Sequence, residues 1–328
     1  MKRLFIFVLA LFVLFNLALA GTAFYGWKQF HAPGPLDQET VLVLDKGVGL
    51  RGIATRLKEA GIIRNDLVFV FGVRLKDQAK NLKAGEYRFT EGMSGLAIMN
   101  LLVSGKGVVH SLTIPEGLQS REIRDLIEQA DPLSGELTEA LPEGSILPET
   151  YHFTRGDQRN ALVKRMKSAM KDALETVWNG RKPDPLITSK QDLLVLASIV
   201  EKETGLASER PHVAGVFLNR LKIGMRLQSD PTVIYGVTEG KADMGRPISR
   251  KDLATDTPYN TYTRGGLPAG PISNPGLDSL RAVVDPKVTK DLYFVADGTG
   301  GHAFARTLAE HNRNVRAWRK LERAGGSQ

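Results

Sequence analysis

The chain has 328 residues, 42% of them hydrophobic and 24% charged, a globular balance with room for two or three small domains. It contains no cysteine, which excludes disulfides, thiolate nucleophiles, iron–sulfur clusters and cysteine-based zinc sites and fits either redox compartment. The formal net charge is +8, but its Lys and Arg residues are spread along the chain without a nucleic-acid recognition motif or a basic arm, so nucleic acid is not expected as a partner.

Met1-Lys2-Arg3 precedes a charge-free run from Leu4 to Tyr25. About twenty apolar residues cross a bilayer. Lys2 and Arg3 favour a cytoplasmic N-terminus, and Tyr25 and Trp27 are placed for the far interface. Ala18-Leu19-Ala20 before Gly21 would serve as a signal-peptide cleavage site, but the apolar stretch continues past it, which favours an uncleaved anchor. Both readings export the rest of the chain.

His31-Ala32-Pro33-Gly34-Pro35 reads as a short linker. Two segments of the same shape follow, Thr40 to Ala60 and His110 to Ala130. Each reads as an alternating strand, a Gly turn and an amphipathic helix, with Gly47, Ile53 and Ala60 matching Gly117, Ile123 and Ala130. Between them, Asn65 to Leu75 is expected as a helix, Gly85 to Phe89 as a strand, and Gly92-Met93-Ser94 as the opening of a short helix through Leu96, Met99 and Leu102. In layout this strand–helix–helix–strand unit resembles the LysM fold, a small binder of cell-wall glycans. Asn160 to Trp178 reads as a long helix with Leu162, Met166, Met170 and Leu174 as core, ended by Asn179-Gly180.

The chemistry concentrates after Gln191. In the run Leu193 to Thr204, Leu196, Ile199, Val200 and Glu203 share one helical face, and Glu201 falls on another with Ala197 and Leu194. A carboxyl on an apolar, packed stripe prefers its neutral form and can act as a general acid near neutral pH. Ser208-Glu209-Arg210 reads as the N-cap and first turn of a helix through Val213 and Phe217, ending at Gly224. The stretches around Gln228, Asp230, Tyr259, Asn260 and Tyr262, and the loop Gly265 to Gly276, are rich in Tyr, Asn, Gln, Gly and Pro. Neutral hydrogen-bonding groups and flat aromatic faces on rigid turns suit a sugar chain.

Three stretches, Ala197 to Thr204, Phe217 to Leu221 and Met225 to Gly236, together with the loops at Tyr259 and Leu267, resemble the YceG family, the endolytic murein transglycosylases of bacteria. The resemblance covers nearly the whole chain. It implies a single-pass inner-membrane protein whose C-terminal part faces the periplasm, acts on nascent peptidoglycan strands, sets glycan length and has peptidoglycan synthases as candidate partners. It implies an α+β fold with an N-terminal transmembrane helix, a LysM-like α+β subdomain and a mainly helical lysozyme-like catalytic domain. The expected divisions are residues 1–30 for the tip and anchor, 31–108 for the LysM-like part, 109–190 for a second α+β unit and connecting helix, and 191–328 for the catalytic domain.

The catalytic glutamate of the family's Glu-Lys-Glu-Thr motif corresponds to Glu203. The resemblance implies that Glu203 protonates the bond between N-acetylmuramic acid and N-acetylglucosamine, that the muramic C6 hydroxyl captures C1, and that a 1,6-anhydro end results. Gln228, Asp230, Tyr259, Asn260 and Tyr262 are the expected substrate contacts. Asn219 and Arg220 are structural or functional on equal terms. A hydrolytic muramidase would need a second carboxylate, for which Asp230 and Glu209 are the candidates, and a non-catalytic wall-binding scaffold is a third reading. No cofactor or metal is expected: His31, His110, His152, His212, His302 and His311 form no His-Glu-x-x-His pattern, and Gly298-Thr299-Gly300-Gly301 lacks a P-loop ending. Thr307 to Ala324 is expected as a basic helix.

Overall fold

The computed structural model describes residues 1–325. It is a mixed helix and strand fold that divides into two compact units, residues 1–110 with 153–156, and residues 111–152 with 157–328.

The first unit begins with α1 (Lys2–His31), 30 residues that are long and apolar enough to cross a membrane, a property a signal sequence shares. Its side chains are exposed up to its last turns, where Phe30 enters the core of the unit. Phe30 fits there because a Cβ on Gly72 or Gly95 would come within 2.4 or 2.8 Å of its ring. Then follow β1 (Thr40–Leu44), α2 (Leu50–Glu59), α3 (Asp66–Leu75), β2 (Gly85–Phe89) and α4 (Gly95–Ser104). Asn65 caps α3, accepting from the main-chain N–H of Leu67 and Val68. β1 and β2 pair antiparallel, Thr40 opposite Phe89 and Leu44 opposite Gly85. The strand–helix–helix–strand order is thus present.

A second two-stranded sheet joins β3 (Val109–Thr113) to β4 (Thr150–Thr154), with α5 (Ser120–Gln129) between them in sequence. The internal repeat is visible in the local backbone. Gly47 and Gly117 both take positive φ, 84° and 76°, in the turn after the strand, which glycine adopts without the cost a Cβ would bring. Ile53 and Ile123 are both buried, and Ala60 and Ala130 both form the C-cap of the helix that follows.

The second unit contains α6 (Arg159–Gly180), which runs through Asn179-Gly180 before it stops, and α7 (Lys190–Glu203). A capping box between Ser189 and Asp192 starts α7. Next come α8 (Arg210–Lys222), α9 (Asp230–Thr238), α10 (Arg250–Ala254), α11 (Leu277–Val284), β5 (Tyr293–Ala296), β6 (His302–Ala305) and α12 (Leu308–Gly325). Ser208 does not cap α8: residues 207–209 form a single tight turn, and Glu209 takes the N-cap position without a side-chain cap bond. The reason is that the Glu209 carboxylate is engaged elsewhere, by His302.

α7 is the axis of the second unit. Every residue from Leu193 to Glu201 is buried, so the helix is covered on all sides rather than along one stripe. α6, α8, α9 and α11 all pack against it.

Candidate active site

Burial of α7 on every side from Leu193 to Glu201 removes the facial argument that separated Glu203 from Glu201. Both glutamates are taken out of bulk water, and their partners make the difference. Glu201 Oε1 accepts from Arg210 Nη2 at 3.0 Å, and its Oε2 accepts from the main-chain N–H of Gly276 at 2.9 Å. The side chains of this pair are 4% and 8% exposed. Arg210 also reaches Glu116 Oε2 at 2.6 Å. Glu201 is therefore a structural anion that ties the loop before α11 to the end of α7.

Glu203 is the last residue of α7. Among the described residues it forms no ion pair, and its Oε1 accepts a hydrogen bond from the Ser229 hydroxyl. It keeps some solvent contact at the surface, but protein surrounds the carboxyl densely. Burial pushes its pKa up to about 7, and the negative charge of Asp230 adds to the rise. The Ser229 bond, first, and the charges of His302 and Arg220 pull the other way.

Ser229 is held rigidly. It is 2% exposed, and its N–H donates to Thr261 Oγ1 at 3.0 Å. Thr232 Oγ1 donates to the Ser229 carbonyl at 2.6 Å and lies 2.8 Å from Thr261 Oγ1. The Gln228 N–H meets the Thr261 carbonyl at 3.2 Å, while Arg226 Nη1 donates to the Tyr262 carbonyl at 2.8 Å. These bonds lace the stretch before α9 to the loop at Tyr262. Arg220, buried on α8, braces the same stretch from below by donating to the carbonyls of Leu227 and, at 2.6 Å, Leu292. Arg220 and its neighbour Asn219, which donates to the carbonyls of Thr289 and Asp291 at 2.9 and 3.1 Å, thus hold backbone in place.

Among the expected substrate contacts, Gln228 is exposed and takes a left-handed backbone conformation at φ 48°, uncommon for a residue with a Cβ. Asp230 opens α9 after the Ser229 N-cap, with Pro231 in the first turn, so the Asp-Pro pair starts a helix and not a turn. The exposed Asp230 accepts at Oδ1 from the Tyr262 hydroxyl at 2.6 Å. Burial and the Asp230 carboxylate both push the Tyr262 phenol pKa up. Tyr259 packs its ring on Tyr235, with centroids 4.7 Å apart.

Asn260 departs from the expected role. It is 1% exposed, its amide donates to the carbonyls of Leu253 and Thr255 at 3.1 and 2.7 Å, and its Oδ1 accepts from the Tyr262 N–H at 2.8 Å. An amide used in this way holds the loop and faces protein. Glu209 is likewise committed. It accepts from the His302 main chain at 2.8 Å and contacts the His302 ring at 2.7 Å. Burial alone would raise its pKa, but these bonds hold it below the usual carboxylate range. Ser229 is the site residue that sequence reasoning passed over. Its one local signal was the N-cap position before Asp230-Pro231.

A family model described as the YceG-like family matches residues 42–317. Among curated proteins, the chain is 32% identical over 331 aligned positions to the endolytic murein transglycosylase of Bacillus subtilis (strain 168), with 90% of each chain covered. It is 30% identical over 357 positions to the endolytic murein transglycosylase of Streptococcus pneumoniae serotype 2 (strain D39 / NCTC 7466), where 93% of this chain spans 64% of that longer protein. Among solved structures, the yceG-like protein lmo1499 from Listeria monocytogenes matches with a TM-score of 0.51 and 30% identity, covering 84% of this chain and 99% of that one.

Proposed function

The chain belongs to the YceG-like family, and from that membership and the surroundings of Glu203 we propose that it is an endolytic murein lyase with Glu203 as its acid and base. The observation that carries the reading is a carboxyl that, among the described residues, has no cationic partner in an ion pair, accepts from one serine hydroxyl and has a pKa of about 7. Such a group is part protonated at neutral pH, as a residue that first gives and then takes a proton must be.

In the proposed reaction the Glu203 carboxyl hydrogen passes to the oxygen linking C1 of N-acetylmuramic acid to C4 of N-acetylglucosamine. The C1–O bond breaks, its electron pair goes to that oxygen, and the glucosamine half leaves as an alcohol. The muramic C6 hydroxyl oxygen bonds to the electron-poor C1, and its proton returns to the Glu203 carboxylate. No water is consumed, and the product carries a 1,6-anhydro ring. Asp230 lies beside Ser229, and its carboxylate favours the positive charge that develops at C1. Gln228, Tyr259 and Tyr262 are proposed as contacts to the sugar chain, and Asn260 as the support of Tyr262.

The membrane and wall assignments belong to the same proposal. α1 is read as a single-pass inner-membrane anchor with the remainder in the periplasm. The strand–helix–helix–strand part of the first unit is read as a LysM-like glycan binder, and the second as a lysozyme-like catalytic domain. Internal cutting of nascent strands would set their length, with peptidoglycan synthases as candidate partners. A hydrolytic muramidase is the alternative, favoured by the one observation that Asp230 is an exposed carboxylate close enough to raise the Glu203 pKa.

Digestion of purified uncrosslinked glycan strands, with product masses read, tests the reading. Anhydro ends from the wild type and none from Glu203→Gln are expected. Reducing ends would replace the lyase with the muramidase, and wild-type cleavage by Glu203→Gln would remove Glu203 from the chemistry.

A further inference from the structure

Four arginines lie on α10 or near it, and their partners divide them. Arg246 grips Asp252 through both terminal nitrogens at 2.6 and 2.9 Å, and Arg264 grips Asp256 at 2.8 and 2.9 Å. These two cations are neutralised within the protein. Arg226 and Arg250 are not. Arg226 donates to the neutral carbonyl of Tyr262, and the Arg250 side chain makes no hydrogen bond or ion pair among the described residues. Both are exposed. The two uncompensated guanidinium groups line one open groove of about 500 Å³, with Leu253, Ala254, Tyr262 and Thr263. Tyr262 joins this groove to the candidate site, since its hydroxyl donates to Asp230, the neighbour of Ser229.

We propose that the groove is a subsite for the carboxylates of the peptides that hang from the muramic acid residues of the substrate strand. The proposal rests on the murein reading above. The sugars of murein are neutral apart from what the muramic lactyl groups carry, and an uncrosslinked peptide on that group ends in a free carboxylate. A guanidinium matches a carboxylate in charge and in its planar, two-pronged geometry. Leu253 and Ala254 give the groove an apolar wall for the small side chains of such a peptide. A lipid-linked strand also carries pyrophosphate, but only at one end. The peptide belongs to the muramic residue whose bond is cut, so it lies beside an internal cleavage point every time.

The test uses the full chain in detergent, wild type and Arg250→Gln. Three substrates are compared: strands with native peptides, strands whose peptide carboxyls are converted to amides, and amidated strands that keep a terminal lipid pyrophosphate. Loss of a charge-assisted contact predicts a KM about tenfold higher for Arg250→Gln on native strands with kcat unchanged, and the same rise for the wild type on amidated strands. Arg250→Gln should make no further difference on amidated strands.

An unchanged KM for Arg250→Gln on native strands overturns the proposal, as does an equal loss on native and amidated strands. Recovery of affinity through the terminal pyrophosphate would hand the groove to phosphate and overturn it as well. The same comparison is repeated as direct strand binding to Glu203→Gln. A preference there for native over amidated strands that Arg250→Gln abolishes supports the groove even if the wild type cleaves nothing, which separates failure of the enzymatic reading from failure of the subsite.

Discussion

Ser229, the N-cap of α9, donates its hydroxyl hydrogen bond to Oε1 of Glu203, the last residue of α7. The donor is fixed in advance by Thr261 and Thr232, so the bond has one geometry. A donor to the charged form stabilises the carboxylate, while burial and Asp230 stabilise the acid. The near-neutral pKa of Glu203 is the balance of these effects.

Ser229→Ala removes a contribution that lowers the Glu203 pKa, so the pKa rises above about 7. If the protonated carboxyl starts the reaction, activity falls as pH rises through that pKa, and the falling limb moves to higher pH in the variant. The pH profile of kcat/KM for anhydro-product release measures the shift. A limb that stays in place or moves to lower pH would show that the hydroxyl does not tune the acid.

Asp230→Asn acts in the opposite sense. Removing a negative charge lowers the Glu203 pKa, so the falling limb moves to lower pH. The products should still carry anhydro ends. If cleavage stops while Glu203 keeps its titration, Asp230 is a required second carboxylate and the muramidase gains.

Glu203 also carries a stability cost with a defined sign. The carboxyl ionises near 4.5 in the unfolded chain and near 7 in the folded one. Its contribution is fully present below pH 4.5 and is lost as pH rises through 7, at a cost of about 3 kcal/mol at most. Glu203→Gln lacks this loss. Relative to the wild type, the variant should be about 1–3 kcal/mol more stable at pH 8 than at pH 4. Urea unfolding of both proteins at the two pH values gives the difference directly.

Glu201→Gln should behave in the contrary way. It leaves the buried Arg210 cation with Glu116 at 2.6 Å and Asp278 at 4.0 Å and loosens the tie to Gly276. Breaking a buried pair from one side costs about 2–4 kcal/mol, less here than for an isolated pair because Glu116 remains. A thermal midpoint several degrees lower is expected. A variant of unchanged Tm would mean that the pair is not stabilising.

Local patterns in the sequence were enough for the elements of the first unit and for α7, while α9, α10 and α11, set among Gly- and Pro-rich loops, were not legible. The β2 strand runs from Gly85 to Phe89 as its alternation requires, Asn65 caps α3, and the Gly turn after each repeat strand carries positive φ. Periodicity and caps act over a few residues, so a linear reading reaches them. The same reading drew attention to Glu203, because a carboxyl at the end of an apolar run stands out whatever surrounds it.

The choice between the two glutamates lay outside that range. From Leu193 to Glu201, α7 is buried on every side by the packing of α6, α8, α9 and α11, so a single apolar face could not separate them. The partners of Glu201 are Arg210 and Gly276, the latter 75 residues away, and that of Glu203 is Ser229, 26 residues away. Asn260 turned inward for a similar reason, since its amide meets the carbonyls at the end of α10. By itself the sequence determined the elements of the first unit, the apolar helix before Thr204 and the carboxyl that closes it, but not α9, α10 or α11. Only the tertiary structure decided which carboxyl is neutralised and which is left to hold a proton, because a charge is set by partners that folding brings together from distant parts of the chain.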